Sequence, residues 1–166
     1  MGTNLLAAAL RMSDVGVGQI SLDVFDDNAQ ALKWYGRLGF QIRQTSELIE
    51  IMPPMTPSEW RAYLSDLPQA DLCQERFGFS RFNLVTVQRT WSIGRIGDGW
   101  FRLDDAAALG DASVFAALRA LDPRRRIFAA VPQFSVAPTI EARLLATTHR
   151  MEAEISQVLH TIDLAQ

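Results

Sequence analysis

The run from Ile20 to Ile42 constrains the fold of this chain more than any other stretch. Ile20, Leu22 and Val24 alternate with polar residues, the period of two that a half-buried strand requires. Asp26-Asp27-Asn28 then supplies turn and cap chemistry. Ala31, Leu32, Tyr35 and Leu38 recur on one helical face. Gly39 stops that helix, and Phe40 and Ile42 open a second strand. A strand, a capped helix and another strand in immediate succession point to an α/β unit whose helix packs on a sheet.

The flanks extend this pattern. Leu5, Leu6, Ala9 and Leu10 have helical spacing over Asn4–Met12, with Asn4 as a possible N-cap and Gly16 and Gly18 beyond its end. Glu47–Met52 is expected to form the hairpin partner of the strand opened by Phe40 and Ile42. Met52-Pro53-Pro54-Met55-Thr56-Pro57 then breaks the chain, because proline can sit neither in a central strand nor in a helix interior. The main boundary is expected here: a first lobe over residues 1–56, a linker over 57–75 with a short helix from Ser58, and an α+β second lobe over 76–166. In that lobe Phe82, Leu84, Val85 and Val87 suggest a strand. Asp98-Gly99 predicts a hairpin between Ile93–Ile96 and Trp100–Leu103. Asp111–Leu121 reads as a helix, Ile127–Val131 as a buried strand, and Thr139–Leu164 as one long amphipathic helix or two shorter ones. The expected class is α/β (α+β), with a mixed sheet flanked by helices. No internal repeat stands out at a fixed period.

Composition narrows the function classes. With 48% apolar and 21% charged residues over 166 positions, the chain can bury a core without staples. Sixteen basic and 19 acidic residues leave a net charge of −3, which argues against a nucleic-acid partner. A single cysteine, Cys73, has no internal disulfide partner, which fits a reducing cytoplasm. No apolar run approaches the roughly 18 residues that span a bilayer, so no membrane partner is expected. Met1–Arg11 reads as a helix, since it lacks a basic n-region and a long h-region.

The order of these features resembles the second half of a GNAT-type (GCN5-related) N-acetyltransferase. Asn28, Ala31, Tyr35 and Leu38-Gly39-Phe40 follow the strand Ile20–Val24, and the apolar helix and glycine turn precede it. The resemblance covers roughly residues 2–52. It implies a partial GNAT-like acyl-CoA acyltransferase fold followed by an extra C-terminal lobe, with acetyl-CoA as co-substrate and a small-molecule or peptide amine as acceptor. In such enzymes the cofactor pyrophosphate sits on amide groups opening a helix, where unpaired N–H donors and the helix dipole favour an anion. By that resemblance Gly2, Thr3 and Asn4 lie near the pyrophosphate, and Asn28 and Ala31 near the pantetheine. Tyr35 is implied as the acid that protonates the departing thiolate. The Gln or Arg and the first glycine of the family's loop would lie upstream of Met1, as would about four strands and two helices. Completion by the second lobe, or a homodimer, is therefore expected.

Each residue also has a plainer reading. Asn28 can be only an N-cap, Tyr35 only a core aromatic. The function expected first is acetyl transfer to an amine; the alternative is a non-catalytic GNAT-like remnant that binds or dimerises. Gly94-Arg95-Ile96-Gly97-Asp98-Gly99 looks like a phosphate loop but precedes a strand pattern, so a hairpin is expected. Arg124-Arg125-Arg126 reads as an exposed turn or as a contact for an anion such as the ribose phosphate of CoA. His149 and His160 are eleven residues apart on the expected last helical region, and no His or Cys cluster has metal spacing. Glyoxalase-like modules share the Tyr-x-x-Leu-Gly-Phe ending, but they need metal ligands on their strands, and here the first strand offers only Asp23.

Overall fold

In the computed structural model, residues 2–12, 18–52, 61–133 and 141–164 are described. Their elements are α1 (Gly2–Met12), β1 (Gln19–Phe25), α2 (Ala29–Arg37), β2 (Gln41–Ile51), β3 (Ala62–Ser65), α3 (Leu67–Phe77), β4 (Phe79–Thr86), β5 (Thr90–Ile96), β6 (Trp100–Leu103), a 3-10 turn (Ala106–Gly110), α4 (Ala112–Leu121), β7 (Arg126–Pro132), β8 (Ala142–Glu154) and α5 (Ile155–Leu164). The strands make one mixed eight-stranded sheet in the order β1-β8-β2-β7-β6-β5-β4-β3. The chain divides into two compact units, residues 1–46 with 146–166, and residues 47–145. The long strands β2 and β8 contribute residues to both.

In the unit of residues 1–46 and 146–166, β1 runs antiparallel to β8, from Gln19 opposite Glu154 to Phe25 opposite Thr148. Val24, Met151 and Ala153 are buried there with Ala7 and Leu10 of α1, Leu38, Phe40, and Val158 and Ile162 of α5. Helix α2 ends where the sequence reading expects. Gly39 adopts φ +93°, a conformation that side-chain-bearing residues rarely take, and Phe40 N–H returns to Tyr35 O at 3.1 Å.

In residues 47–145, β3, β4, β5 and β6 follow one another antiparallel, and β6 pairs parallel with β7. The Asp98-Gly99 hairpin forms as expected, with the positive φ at Gly97. The core joins Phe82, Leu84, Ile93, Phe101 and Leu103 to Val114 and Leu118 of α4. Asp111 caps α4 by accepting from Ser113 N at 3.0 Å. Its other oxygen accepts from Thr86 Oγ1 at 2.7 Å and Trp91 Nε1 at 3.0 Å, so this buried carboxylate is fully partnered.

Several expectations are corrected. Helix α1 starts at Gly2, so Asn4 lies inside its first turn and not at its cap. Gln41–Ile51 is one continuous strand rather than two arms of a hairpin: Gln41–Gln44 are exposed, Thr45–Leu48 partly buried and Ile49–Ile51 buried, with no turn between them. Thr139–Leu164 is not helical throughout. Ala142–Glu154 is β8 and only Ile155–Leu164 is helix, so His149 belongs to a strand. Much of the expected linker is ordered secondary structure, β3 and most of α3. The proline run from Pro53 and the helix expected from Ser58 lie outside the described residues. Among the described residues no helix is long and apolar enough to cross a membrane.

Candidate functional site

The residues singled out by sequence all fall in the unit of residues 1–46 and 146–166. Gly2, Thr3 and Asn4 form the first turn of α1, whose leading amides have no partner within the helix itself. A Cβ on Gly2 would stand 3.7 Å from Cζ2 of Trp34, so the start of α1 meets the C-terminal half of α2. Trp34 and Tyr35 pack ring to ring at 4.7 Å, and Tyr35 meets Phe40 edge-on at 5.4 Å. Tyr35 is half-buried, and among the described residues its hydroxyl makes no hydrogen bond. A phenol held by its ring and free at its oxygen can donate a proton to an incoming group.

Asn28 and Ala31 stand at the other end of α2. The Asn28 side-chain oxygen accepts from Ala31 N at 3.1 Å, which caps the helix. Seven residues of helical rise separate Asn28 from Tyr35, about 10 Å. The fold therefore brings Gly2 beside Trp34, which packs on Tyr35, and leaves Asn28 two turns from Tyr35 with its oxygen engaged locally.

Two polar clusters were not legible in the sequence. In this same unit, Nε2 of the nearly buried His149 lies 2.8 Å from Asp26 Oδ1, and its Nδ1 lies 3.0 Å from Thr45 Oγ1. A carboxylate only accepts, so Nε2 carries a proton toward Asp26, and in the neutral ring Nδ1 is then the acceptor for the Thr45 hydroxyl. The second cluster lies within residues 47–145. Glu50 of β2 is buried and takes two arginines, Arg126 of β7 and Arg143 of β8, with Arg143 Nε at 2.9 Å. The Arg126 hydrogen bonds, more than those of Arg143, hold the Glu50 carboxyl below the usual glutamate range, against the opposing effect of burial. Arg126 also lies over the Trp100 ring at 4.1 Å, so the third arginine of the Arg124–Arg126 run is anchored within the fold. Both clusters join residues far apart in sequence, and only strand pairing reveals them.

Among the described residues no group of three or more His, Cys, Asp or Glu is arranged to hold a metal ion. Asp23, the acid on the first strand, is taken bidentate by Arg150 at 3.0 and 2.8 Å, which raises the arginine above its ordinary range. That pairing speaks against Asp23 as a metal ligand.

The described elements form an α+β fold, an eight-stranded mixed sheet flanked by helices. A candidate acetyltransferase from Pyrococcus horikoshii shares it with a TM-score of 0.59 and 14% identity, over 93% of this chain and 59% of that protein. The chain thus spans somewhat over half the length of this structural neighbour. A GCN5-related N-acetyltransferase from Sphaerobacter thermophilus aligns at a TM-score of 0.47, with 11% identity, 83% of this chain and 61% of that one. A candidate acetyltransferase from Thermoplasma acidophilum gives 0.45, 14%, 92% and 62%. No protein-family model and no curated protein sequence matches the chain.

Proposed function

We propose that the chain binds acetyl-CoA and transfers its acetyl group to the amine of a small molecule or peptide. The observation that carries this reading is the acetyltransferase-type fold shared over nearly the whole chain. In this reading the first turn of α1, Gly2, Thr3 and Asn4, faces the pyrophosphate at the positive end of the helix dipole. Asn28 and Ala31 border the pantetheine arm. The neutral amine attacks the thioester carbonyl, the C–N bond forms as the C–S bond breaks, Tyr35 donates its phenolic proton to the leaving thiolate, and the proton shed by the acylated nitrogen returns through water to restore the phenol. A homodimer, or completion of the cleft by residues 76–166, belongs to the same proposal, as does a reducing cytoplasm suited to the lone Cys73. The test is release of CoA thiol from acetyl-CoA in the presence of a panel of primary amines. Amine-dependent release supports the reading; binding of CoA without release for any amine would reduce it to cofactor binding.

A second reading is favoured by one specific observation. Asn28 is satisfied as a helix cap and Tyr35 is packed between Trp34 and Phe40, so both have structural roles without any ligand. A non-catalytic binding or dimerisation module on the same fold would keep both residues for stability alone. Light scattering together with the CoA titration separates the two: a stable dimer that takes up no CoA belongs to this second reading.

A further inference from the structure

Strands β4 to β7 bury alternate residues on one face, and the register arranges what stands on the other. One cross-strand row there is Phe79, Ile96, Trp100, Arg126; the next is Arg81, Gly94, Arg102, Phe128. Gly94 sits between two arginines, and its lack of a side chain lets Arg102 lie close over it, since a Cβ there would stand 3.3 Å from Arg102 Cβ. A cavity of about 770 Å³ opens there, lined by Phe79, Arg81, Gly94, Ile96, Arg102 and Asp104 among others.

We propose that this cavity binds a small apolar carboxylate, of the kind of a medium-chain alkanoate or an aryl carboxylate. Its size falls in the range of ordinary small-molecule sites. One wall is apolar and wet: Phe79 is 63% exposed and Ile96 42%, and Phe77 extends the wall by packing on Phe79 at 6.0 Å between ring centres. Large apolar side chains at such exposure gain by being covered. The other wall is cationic. Arg81 and Arg102 share one carboxylate, Asp104, at 2.8 and 3.3 Å, and Ser92 Oγ donates to the same group at 2.8 Å. Two guanidinium groups against one acid leave a net positive charge. Both arginine side chains are about half exposed or more, so they can turn to grip an incoming anion in a fork. An inorganic phosphate would leave the apolar wall uncovered, and a cationic amphiphile would meet the surplus positive charge. The ligand class that answers both walls is an anion with an apolar body. This site does not depend on the acetyl-CoA reading.

Titration calorimetry of the full chain with sodium octanoate tests it, with octylammonium and inorganic phosphate as comparison ligands. Saturable one-to-one uptake of octanoate, and none of the other two, is expected. The double variant Arg81→Gln with Arg102→Gln, made at exposed positions, should weaken octanoate by about tenfold while melting as the parent does. Gly94→Val should also weaken it, since a Cβ there would already stand 3.3 Å from Arg102 Cβ. Absence of saturation by about 10 mM, equal affinity in the double variant, or equal uptake of octylammonium would each overturn the proposal. Failure here leaves CoA binding untouched, because the two titrations use different ligands.

Discussion

The side-chain oxygen of Asn28 accepts the backbone N–H of Ala31 at 3.1 Å, closing the first turn of α2. This bond separates two roles for one residue. Asn28→Ala should cost about 1 kcal/mol of stability, and Asn28→Asp should restore it, because aspartate caps equally well. If Asn28 also contacts the pantetheine, the aspartate variant will fold normally yet bind CoA less tightly, since it exchanges an amide for a charge. Denaturant melts and CoA titrations on the same two variants read the two effects apart.

Tyr35 offers a cleaner test of chemistry. Its hydroxyl makes no hydrogen bond among the described residues, so Tyr35→Phe removes none and should change stability by less than about 0.5 kcal/mol. As a general acid its loss should lower kcat by about a hundredfold or more, with CoA affinity kept. An unchanged kcat would assign the ring to packing alone.

Glu50 sets a pH dependence. Its carboxyl is held below its ordinary pKa of 4.5 by Arg126 first and Arg143 after it. A carboxyl depressed in the folded state contributes stability that is present above the unfolded value and lost as pH falls through the folded one. Stability should therefore decline below about pH 4.5, and Glu50→Gln should flatten that decline. At neutral pH the same substitution should cost about 2 kcal/mol, because it leaves two arginines without their shared acid. Thermal melts from pH 3 to 7 would show both effects.

Gly39 combines two constraints. It adopts φ +93°, and a Cβ there would meet the Gln157 side chain at 3.0 Å. Gly39→Ala should lose about 1–2 kcal/mol, mostly from the backbone, since the end of a glutamine can move aside. Pairing it with Gln157→Ala should recover only a small part of the loss.

What the sequence revealed, and what it hid, follows the range of the interactions involved. The β1–α2 segment was legible because alternation, cap and glycine stop are all local. The Asp98-Gly99 hairpin was legible for the same reason. Strand β8 was not. Leu144, Leu145, Met151, Ile155 and Val158 fit a helical face as well as a strand, and what makes 142–154 a strand is pairing with β1, more than a hundred residues away in sequence. Thr147-Thr148, with β-branched side chains, was the available local hint. The continuity of β2 is hidden because Gln41–Ser46 carries too little apolar alternation to mark a strand, although a strand can run on through polar residues. At the site, the family resemblance singles out Asn28 and Tyr35, and their seven-residue spacing already sets them two helical turns apart; the approach of Gly2 to Trp34 and the Asp26–His149–Thr45 and Glu50–Arg126–Arg143 clusters depend on tertiary geometry that no spacing encodes.

The central claim is that this fold holds CoA. Isothermal titration of the full chain with acetyl-CoA and with CoA tests it most directly. Saturable one-to-one binding at micromolar to millimolar ligand is expected, weakened by salt because a pyrophosphate on helix amides is an electrostatic contact. No heat of binding for either ligand at millimolar concentration, from protein shown to be folded, would contradict it.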